Sequence, residues 1–251
     1  MSETTSGSPV TVKSAPLYYT STGASATTPP SDAHTGFMEQ IIRRDTTGMT
    51  ALSGVDETVA ISRGTYSISS AEELAKLATM TNAGKITGGE FVLAGNIDLS
   101  AYDNWTPIGN SSNYFKGTFD GNGYIVSNMK INSSGSYVGL FGYSKGDIKN
   151  VGLENVDITA TSFSAEVGGI VGESYSSSIT NCYVDGTITN NGFSGNTGGI
   201  VGCMSADGIS GSSSIDSCSV GGKITATGNT GTNSTTNVMS IGGIVGTSNN
   251  Y

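Results

Sequence analysis

Short apolar runs recur along this chain at fixed distances, each flanked by glycine, serine or asparagine. The clearest are Val138-Gly139-Leu140-Phe141-Gly142, Gly168-Gly169-Ile170-Val171-Gly172, Gly198-Gly199-Ile200-Val201-Gly202 and Gly242-Gly243-Ile244-Val245-Gly246. Gly117-Thr118-Phe119 aligns with them as an earlier copy. Phe119, Phe141, Val171, Val201 and Val245 then lie 22, 30, 30 and 44 residues apart. A second run follows the first: Val126-Ser127-Asn128-Met129, Ile148-Lys149-Asn150-Val151, Ile179-Thr180-Asn181-Cys182 and Ile215-Asp216-Ser217-Cys218. A third contains Val156-Asp157-Ile158, Thr187-Ile188 and Lys223-Ile224. Each repeat therefore predicts three short strands separated by turns.

A unit of this size cannot bury its own apolar face, so successive units must stack. Three strands in 22 to 30 residues match one coil of a parallel β-helix, with equivalent residues about 4.8 Å apart. The expected inward columns are Val126, Ile148, Ile179, Ile215; Met129, Val151, Cys182, Cys218; and Ile131, Leu153, Val184, Val220. Asn128, Asn150, Asn181 and Ser217 form a turn column whose amides can hydrogen-bond from repeat to repeat. Residues 208–214 and 228–237 read as insertions into turns.

The chain before the repeats differs. Ser70-Ala71-Glu72-Glu73 predicts a capping box opening a helix over 70–83, with Leu74, Leu77, Ala78 and Thr81 on one face and Gly84 as its stop. Such a helix is placed to cover the first exposed layer of an open stack. Residues 1–60 hold four of the five prolines, no asparagine and only five of the 37 glycines. They read as an extended arm carrying apolar anchors Leu17, Tyr18, Tyr19, Phe37, Ile41 and Ile42. The expected organisation is an arm over 1–63, a capping helix and opening segment over 64–90, and repeats over 91–251.

Composition narrows the function. Gly, Ser, Thr and Asn make up 124 of 251 residues, and charged residues are only 12% where about 25% is usual. This suits tight turns and short strands and disfavours a helical bundle. The net charge is −9, and Lys223 is the sole cation after residue 150, so nucleic-acid partners are disfavoured. No apolar run of 18 residues exists to predict a membrane-crossing helix. The opening Met1-Ser2-Glu3-Thr4-Thr5 lacks the basic and apolar regions of a secretory signal. It favours a particle assembled in the cytoplasm, such as a phage virion, over a bacterial surface.

Candidate chemistry is sparse. One histidine, His34, and three cysteines without a CxxC pair exclude zinc-ligand spacing and most Ser-His-Asp or Cys-His catalysis. Cys182 and Cys218 share a repeat position but stack too far apart for a relaxed disulfide, so they read as buried thiols. Asp157, Asp185 and Asp216 fall at different repeat positions; Asp103, Asp120 and Asp147 read as turn residues. Asp120-Gly121-Asn122-Gly123 is better explained as a Gly/Asn turn than as a calcium loop. Tyr102, Trp105, Tyr114, Tyr143 and Tyr175 could stack on sugar rings, with Trp105 the one best explained as core. No catalytic, cofactor-binding or metal residue is assigned, and no cofactor is expected.

The four glycine-flanked runs resemble the GLUG repeat family. Trp105-Thr106-Pro107-Ile108-Gly109, Gly117-Thr118-Phe119-Asp120-Gly121-Asn122-Gly123 and the 70–77 helix with Asn96-Ile97-Asp98-Leu99 resemble the opening coils of such proteins. The resemblance covers residues 64–251. It implies an all-β, right-handed parallel β-helix of the kind found on bacterial surface proteins, adhesins, some secreted peptidases as accessory regions, and phage-associated proteins, with no shared catalytic residues. The resulting expectation is a non-enzymatic, extracellular attachment protein on a phage virion or cell surface. Its arm, 1–60, would dock onto other chains of a particle or homo-oligomer. An adhesin module binding glycans or surface proteins is the alternative, and a polysaccharide-degrading β-helix a distant one.

Overall fold

A computed structural model describes residues 11–14, 38, 40–206, 212–227 and 239–250. The described chain is mostly β, 52% strand against 8% helix, and every strand pairing in it is parallel.

Three sheets form. The largest runs through β2 (Thr50–Ala51), β3 (Thr65–Ile68), β4 (Glu90–Leu93), β6 (Thr118–Ser127), β10 (Asp147–Ala160), β13 (Ser178–Thr180), β14 (Tyr183–Asn190), β17 (Ser214–Val220) and β18 (Lys223–Ala226). At its side lie β1 (Thr11–Ser14), β5 (Ile97–Asp98) and β7 (Lys130–Ser133). A second sheet stacks β8 (Tyr137–Val138), β11 (Ser164–Val167), β15 (Ser194–Gly198) and β19 (Met239–Gly242). A third stacks β9 (Phe141–Ser144), β12 (Val171–Tyr175), β16 (Val201–Ala206) and β20 (Val245–Asn250). One repeat contributes a rung to each sheet in turn.

The columns follow from alternation. Ile148, Ile179 and Ile215 are direct neighbours, and all are buried. Leu153, Val184 and Val220 form the next column, with Ile158, Ile188 and Ile224 beyond it. Val151, Cys182 and Cys218 line the intervening bend in the same core. A single core cluster runs from Leu52 to Cys218.

The opening repeat departs from the expected alignment. Phe119 pairs with Ile148, not with Phe141. It is Ile108 that bridges Phe141, so the first spacing is 33 residues, counted from 108 to 141. Val126 therefore joins Leu153 and Val184, and Ile131 joins Ile158. Met129 belongs to the next bend, where its carbonyl accepts from Asp157 N at 2.9 Å. Gly-x-Phe occurs in both segments, and both phenylalanines face inward, so the local motif cannot tell the two sheets apart.

The turn asparagines split in the same way. Asn150, Asn181 and Ser217 sit at φ 56°, 52° and 52°, the left-handed region where a short polar side chain best tolerates the strain. Asn181 Nδ2 donates to Asn150 Oδ1 at 3.1 Å, and Asn150 Nδ2 to Asp120 Oδ1 at 2.9 Å. Asn128 belongs to a separate column: it donates to Asp98 and accepts from Asn155. Asp120 is thus a buried strand residue rather than a turn residue, and it also faces Arg44 at 3.3 Å and Lys149 at 3.5 Å.

The Gly-Gly-Ile-Val-Gly runs join the second sheet to the third. A Cβ on Gly168 would stand 2.2 Å from Val171 O and 2.6 Å from Ile200 O. Only glycine lets these backbones approach so closely.

Helix α1 (Ala71–Asn82) begins at Ser70, whose side chain accepts from Glu73 N at 3.3 Å. The Glu73 carboxylate reaches Ser69 N and Ser53 N instead of the Ser70 N–H of a closed capping box. Leu74, Leu77, Ala78, Met80 and Thr81 are buried, and Gly84 at φ +73° follows the last turn. In chain order the helix lies between β3 and β4, where later repeats place their rungs of the second and third sheets.

The largest sheet begins at Thr50, well before the expected repeat region. Met38, Leu52 and Ile61 are buried. Arg44 N donates to Asn122 Oδ1 at 2.6 Å and Asn122 Nδ2 returns a bond to Arg44 O, while the Arg43 guanidinium covers Tyr124 at 4.4 Å. The arm from residue 43 onward thus packs on its own chain. Ile41 is half-buried and Ile42 stays 93% exposed. Leu17, Tyr18, Tyr19, His34 and Phe37 lie outside the described residues.

Ile179→Ala should cost about 2–5 kcal/mol in denaturant unfolding, the range for emptying a packed aliphatic site. Asn181→Gly keeps the left-handed turn and loses the amide bond, so it should cost about 1 kcal/mol. Asn181→Ala loses both and should cost more. Equal losses for the two Asn181 variants would contradict the turn assignment.

Candidate functional site

The second and third sheets present two polar rows beside each other. Tyr143, Glu173, Cys203 and Thr247 are register neighbours in one. Tyr137, Glu166, Asn196 and Ser240 are register neighbours in the other. The rows touch: the Tyr137 and Tyr143 rings meet edge-on at 5.3 Å, and Thr247 Oγ1 donates to Asn196 Oδ1 at 2.7 Å. Asn196 Nδ2 donates to Glu166 at 2.8 Å, Ser205 Oγ to Glu173 at 3.3 Å, and Asn249 Nδ2 to Cys203 Sγ at 3.4 Å.

Aromatic side chains widen the strip. Tyr114 lies 5.8 Å from Tyr143. The Lys145 ammonium sits 4.7 Å from the Tyr114 ring and 4.2 Å from Tyr175, with Lys116 also over Tyr114 at 4.6 Å. Three of the five aromatics nominated from sequence, Tyr114, Tyr143 and Tyr175, thus come together. The other two do not. Trp105 is buried, donates Nε1–H to Leu140 O at 3.2 Å and packs edge-on against Tyr102.

The electrostatics are set by burial without a compensating cation. Burial, reinforced by the Glu173 charge, raises Glu166 from 4.5 to about 7, against the opposing Asn196 bond. Burial also raises Glu173. The groups facing the pair are Tyr137, Tyr143 and Cys203, all titrating above their ordinary values chiefly because of burial, with Cys203 pushed up to about 11. Buried thiols so far above neutral pH are poor nucleophiles. Cys182, Cys203 and Cys218 are all free.

Sequence reading missed Tyr137, Glu166, Glu173 and Asn196. Their signal was the repeat distance itself: 143, 173 and 203 are 30 apart, and so are 166 and 196. Among the described residues no group of three or more His, Cys, Asp or Glu has metal-ligating geometry. Asp157 pairs with Thr187 and Asp216 with Thr180, so these two aspartates lie in different columns, and Asp120 and Asp216, which share one, are separated in it by Lys149 and Thr180.

These features define a repeat protein of stacked parallel strands with glycine-tight joints between sheets. The GLUG motif matches residues 164–189, from the start of β11 nearly to the end of β14, which supports the resemblance to the GLUG-repeat family over this segment. It is 33% identical over 202 residues to halomucin of Haloquadratum walsbyi, covering 75% of this chain and 2% of halomucin. It is 38% identical over 96 residues to a protein named as a Gly-rich membrane protein of Evansella cellulosilytica, covering 35% of this chain and 11% of that one. The chain thus spans a small part of the curated relatives it matches. A crystal structure of a Bacteroides ovatus protein, named as an immunoglobulin A1 protease, aligns over 74% of this chain and 84% of its own at 18% identity and a TM-score of 0.40. A likeness of that degree carries no functional argument.

The carboxylate pair predicts a pH dependence. Glu166 binds its proton more tightly folded than unfolded, so its contribution to stability is complete below about pH 4.5 and is lost as pH rises through about 7. The denaturant midpoint should therefore fall from about pH 5 to about pH 8, and Glu166→Gln should flatten that fall. A Glu166→Gln profile parallel to that of the unsubstituted chain would contradict the burial of this group.

Proposed function

We propose that this chain is a right-handed parallel β-helix segment of a surface-displayed protein, and that it works through shape and binding rather than catalysis. The carrying observation, among the described residues, is the parallel register of the largest sheet from Thr50 onward, to which the later repeats add one rung in each of the second and third sheets from Tyr137 to Asn250. Right-handed winding is the expected sense for parallel strands joined by crossovers. The seven rungs from β2 through β17 amount to a stack about 30 Å long at 4.8 Å per rung. The names of the relatives, halomucin and a Gly-rich membrane protein, support a place at a cell surface. The low charge and Ser/Thr/Asn-rich composition suit exposure at high local density. Attachment to a phage particle or a bacterial surface, with contacts made through those parts of residues 1–60 that do not pack on the chain itself, belongs to the same reading.

The tyrosine strip favours glycan binding as a second reading. Tyr114, Tyr143 and Tyr175, with Lys116 and Lys145 packed over the Tyr114 and Tyr175 rings, form a partly exposed aromatic and cationic surface.

Two assays test the proposal. Antibody against the purified chain should label intact source cells or particles as strongly as permeabilised ones. Incubation with polysaccharides should release no reducing ends, and chelator should leave the melting temperature unchanged. Labelling only after permeabilisation, or turnover abolished by one aspartate substitution, would overturn it. Titration with a glycan panel, repeated on Tyr143→Ala, decides the second reading.

A further inference from the structure

At the C-terminal end of the stack the edges of β18, β19 and β20 each have one pairing partner among the described residues. The edge of β17 has a further strand on it, drawn from the far end of the sequence. β1 lies on it in parallel, Thr11 opposite Ser214, Val12 opposite Ile215 and Ser14 opposite Cys218. On the other side of β17, Ser178 and Ile179 face the same Ser214 and Ile215. β1 therefore takes the rung a further repeat would supply. Its first residues agree in sequence, Thr11-Val12 with Ser214-Ile215, hydroxyl then β-branched, before the register shifts and brings Ser14 opposite Cys218.

The connection is long enough for this seat. Met38 O lies by Gly123, on the β6 rung, four rungs from β1. Four spacings are about 19 Å, and the 23 residues between positions 14 and 38 can reach roughly 75 Å when extended. An exposed parallel edge invites pairing with another chain unless charge, proline or a covering segment blunts it. The β17–β20 edge strands carry only Asp216 and Lys223 as charges and no proline, so β1 is the protection that β17 has.

We propose that Thr11–Ser14 is a built-in end plug: it seals the β17 edge within its own chain, and the bared edge pairs with the same edge of a second copy. Identical edges meeting about a two-fold axis form an antiparallel pair that closes on itself, so the product is a dimer and not a fibre. This rests on the β1 pairing alone, and its failure would leave the surface-display reading untouched.

The test compares the full chain with a deletion of residues 2–16 and with Val12→Pro/Lys13→Pro. Successive N–H groups of a strand point to opposite sides, so one of the two prolines must remove a donor facing β17. Circular dichroism and the melting transition establish that both variants fold. Hydrogen exchange, measured at a dilution where the variants are still monomeric, should show the 215–219 amides that face β1 protected in the full chain and exchanging at least about tenfold faster in both variants. Light scattering should show the variants doubling in mass, and a peptide of residues 9–16 should return them to monomer. Unchanged exchange would overturn the plug. Loss of protection without dimers would overturn the second-copy pairing. A dimeric full chain that becomes monomeric on deletion would place the strand on a neighbour and overturn the seat within one chain.

Discussion

Everything in this fold depends on one residue per repeat adopting the left-handed backbone conformation at the bend of the largest sheet. Asn150, Asn181 and Ser217 hold that position. The bend turns the strand so that Ile148 and Val151 can both face the core, and likewise Ile179 and Cys182. An asparagine there does two things a glycine cannot. It keeps the unfolded chain less free, and its amide bonds to the equivalent residue one repeat back. The column is anchored below by Asp120, a buried carboxylate between Arg44 and Lys149. The segment joined to the repeats by Arg44 is therefore part of the same hydrogen-bonded stack as the turns.

That arrangement divides the molecule into a dry interior and a polar margin with different tasks. Aliphatic columns supply the burial that a single repeat cannot achieve. The second and third sheets, drawn together at Gly168 and its equivalents, bring Tyr, Glu, Asn and Cys rows alongside each other at the margin. Because each row repeats at about 30 residues, substitutions there change the strip without disturbing the core register. The tyrosine–lysine portion and the carboxylate portion are adjacent stretches of one such margin.

Much of this was legible in sequence because a strict repeat exposes its own register. Ile148, Ile179 and Ile215 aligned by inspection, as did Asn150 and Asn181, and the helix at 71–82 announced itself through Ser70 and Glu73. The opening repeat was not legible. Gly117-Thr118-Phe119 and Gly139-Leu140-Phe141 obey the same local pattern while lying in different sheets, and only pairing with Ile148 separates them. The folding back of Arg43 and Arg44 was hidden for a similar reason: two arginines after apolar residues fit a docking segment for any partner, including their own chain. The polar strip escaped notice because burial, not residue type, gives Glu166 its character.

The central claim is that stability runs along a one-dimensional stack of register-locked rungs. The most direct measurement is a pair of double-mutant cycles in denaturant unfolding. One couples Ile148→Val with Ile179→Val, on adjacent rungs; the other couples Ile148→Val with Ile215→Val, two rungs apart. The account predicts a coupling of about 0.5 kcal/mol or more for the adjacent pair and additivity within about 0.3–0.5 kcal/mol for the separated pair. Equal couplings in the two cycles, or a larger one for Ile148 with Ile215, would contradict it.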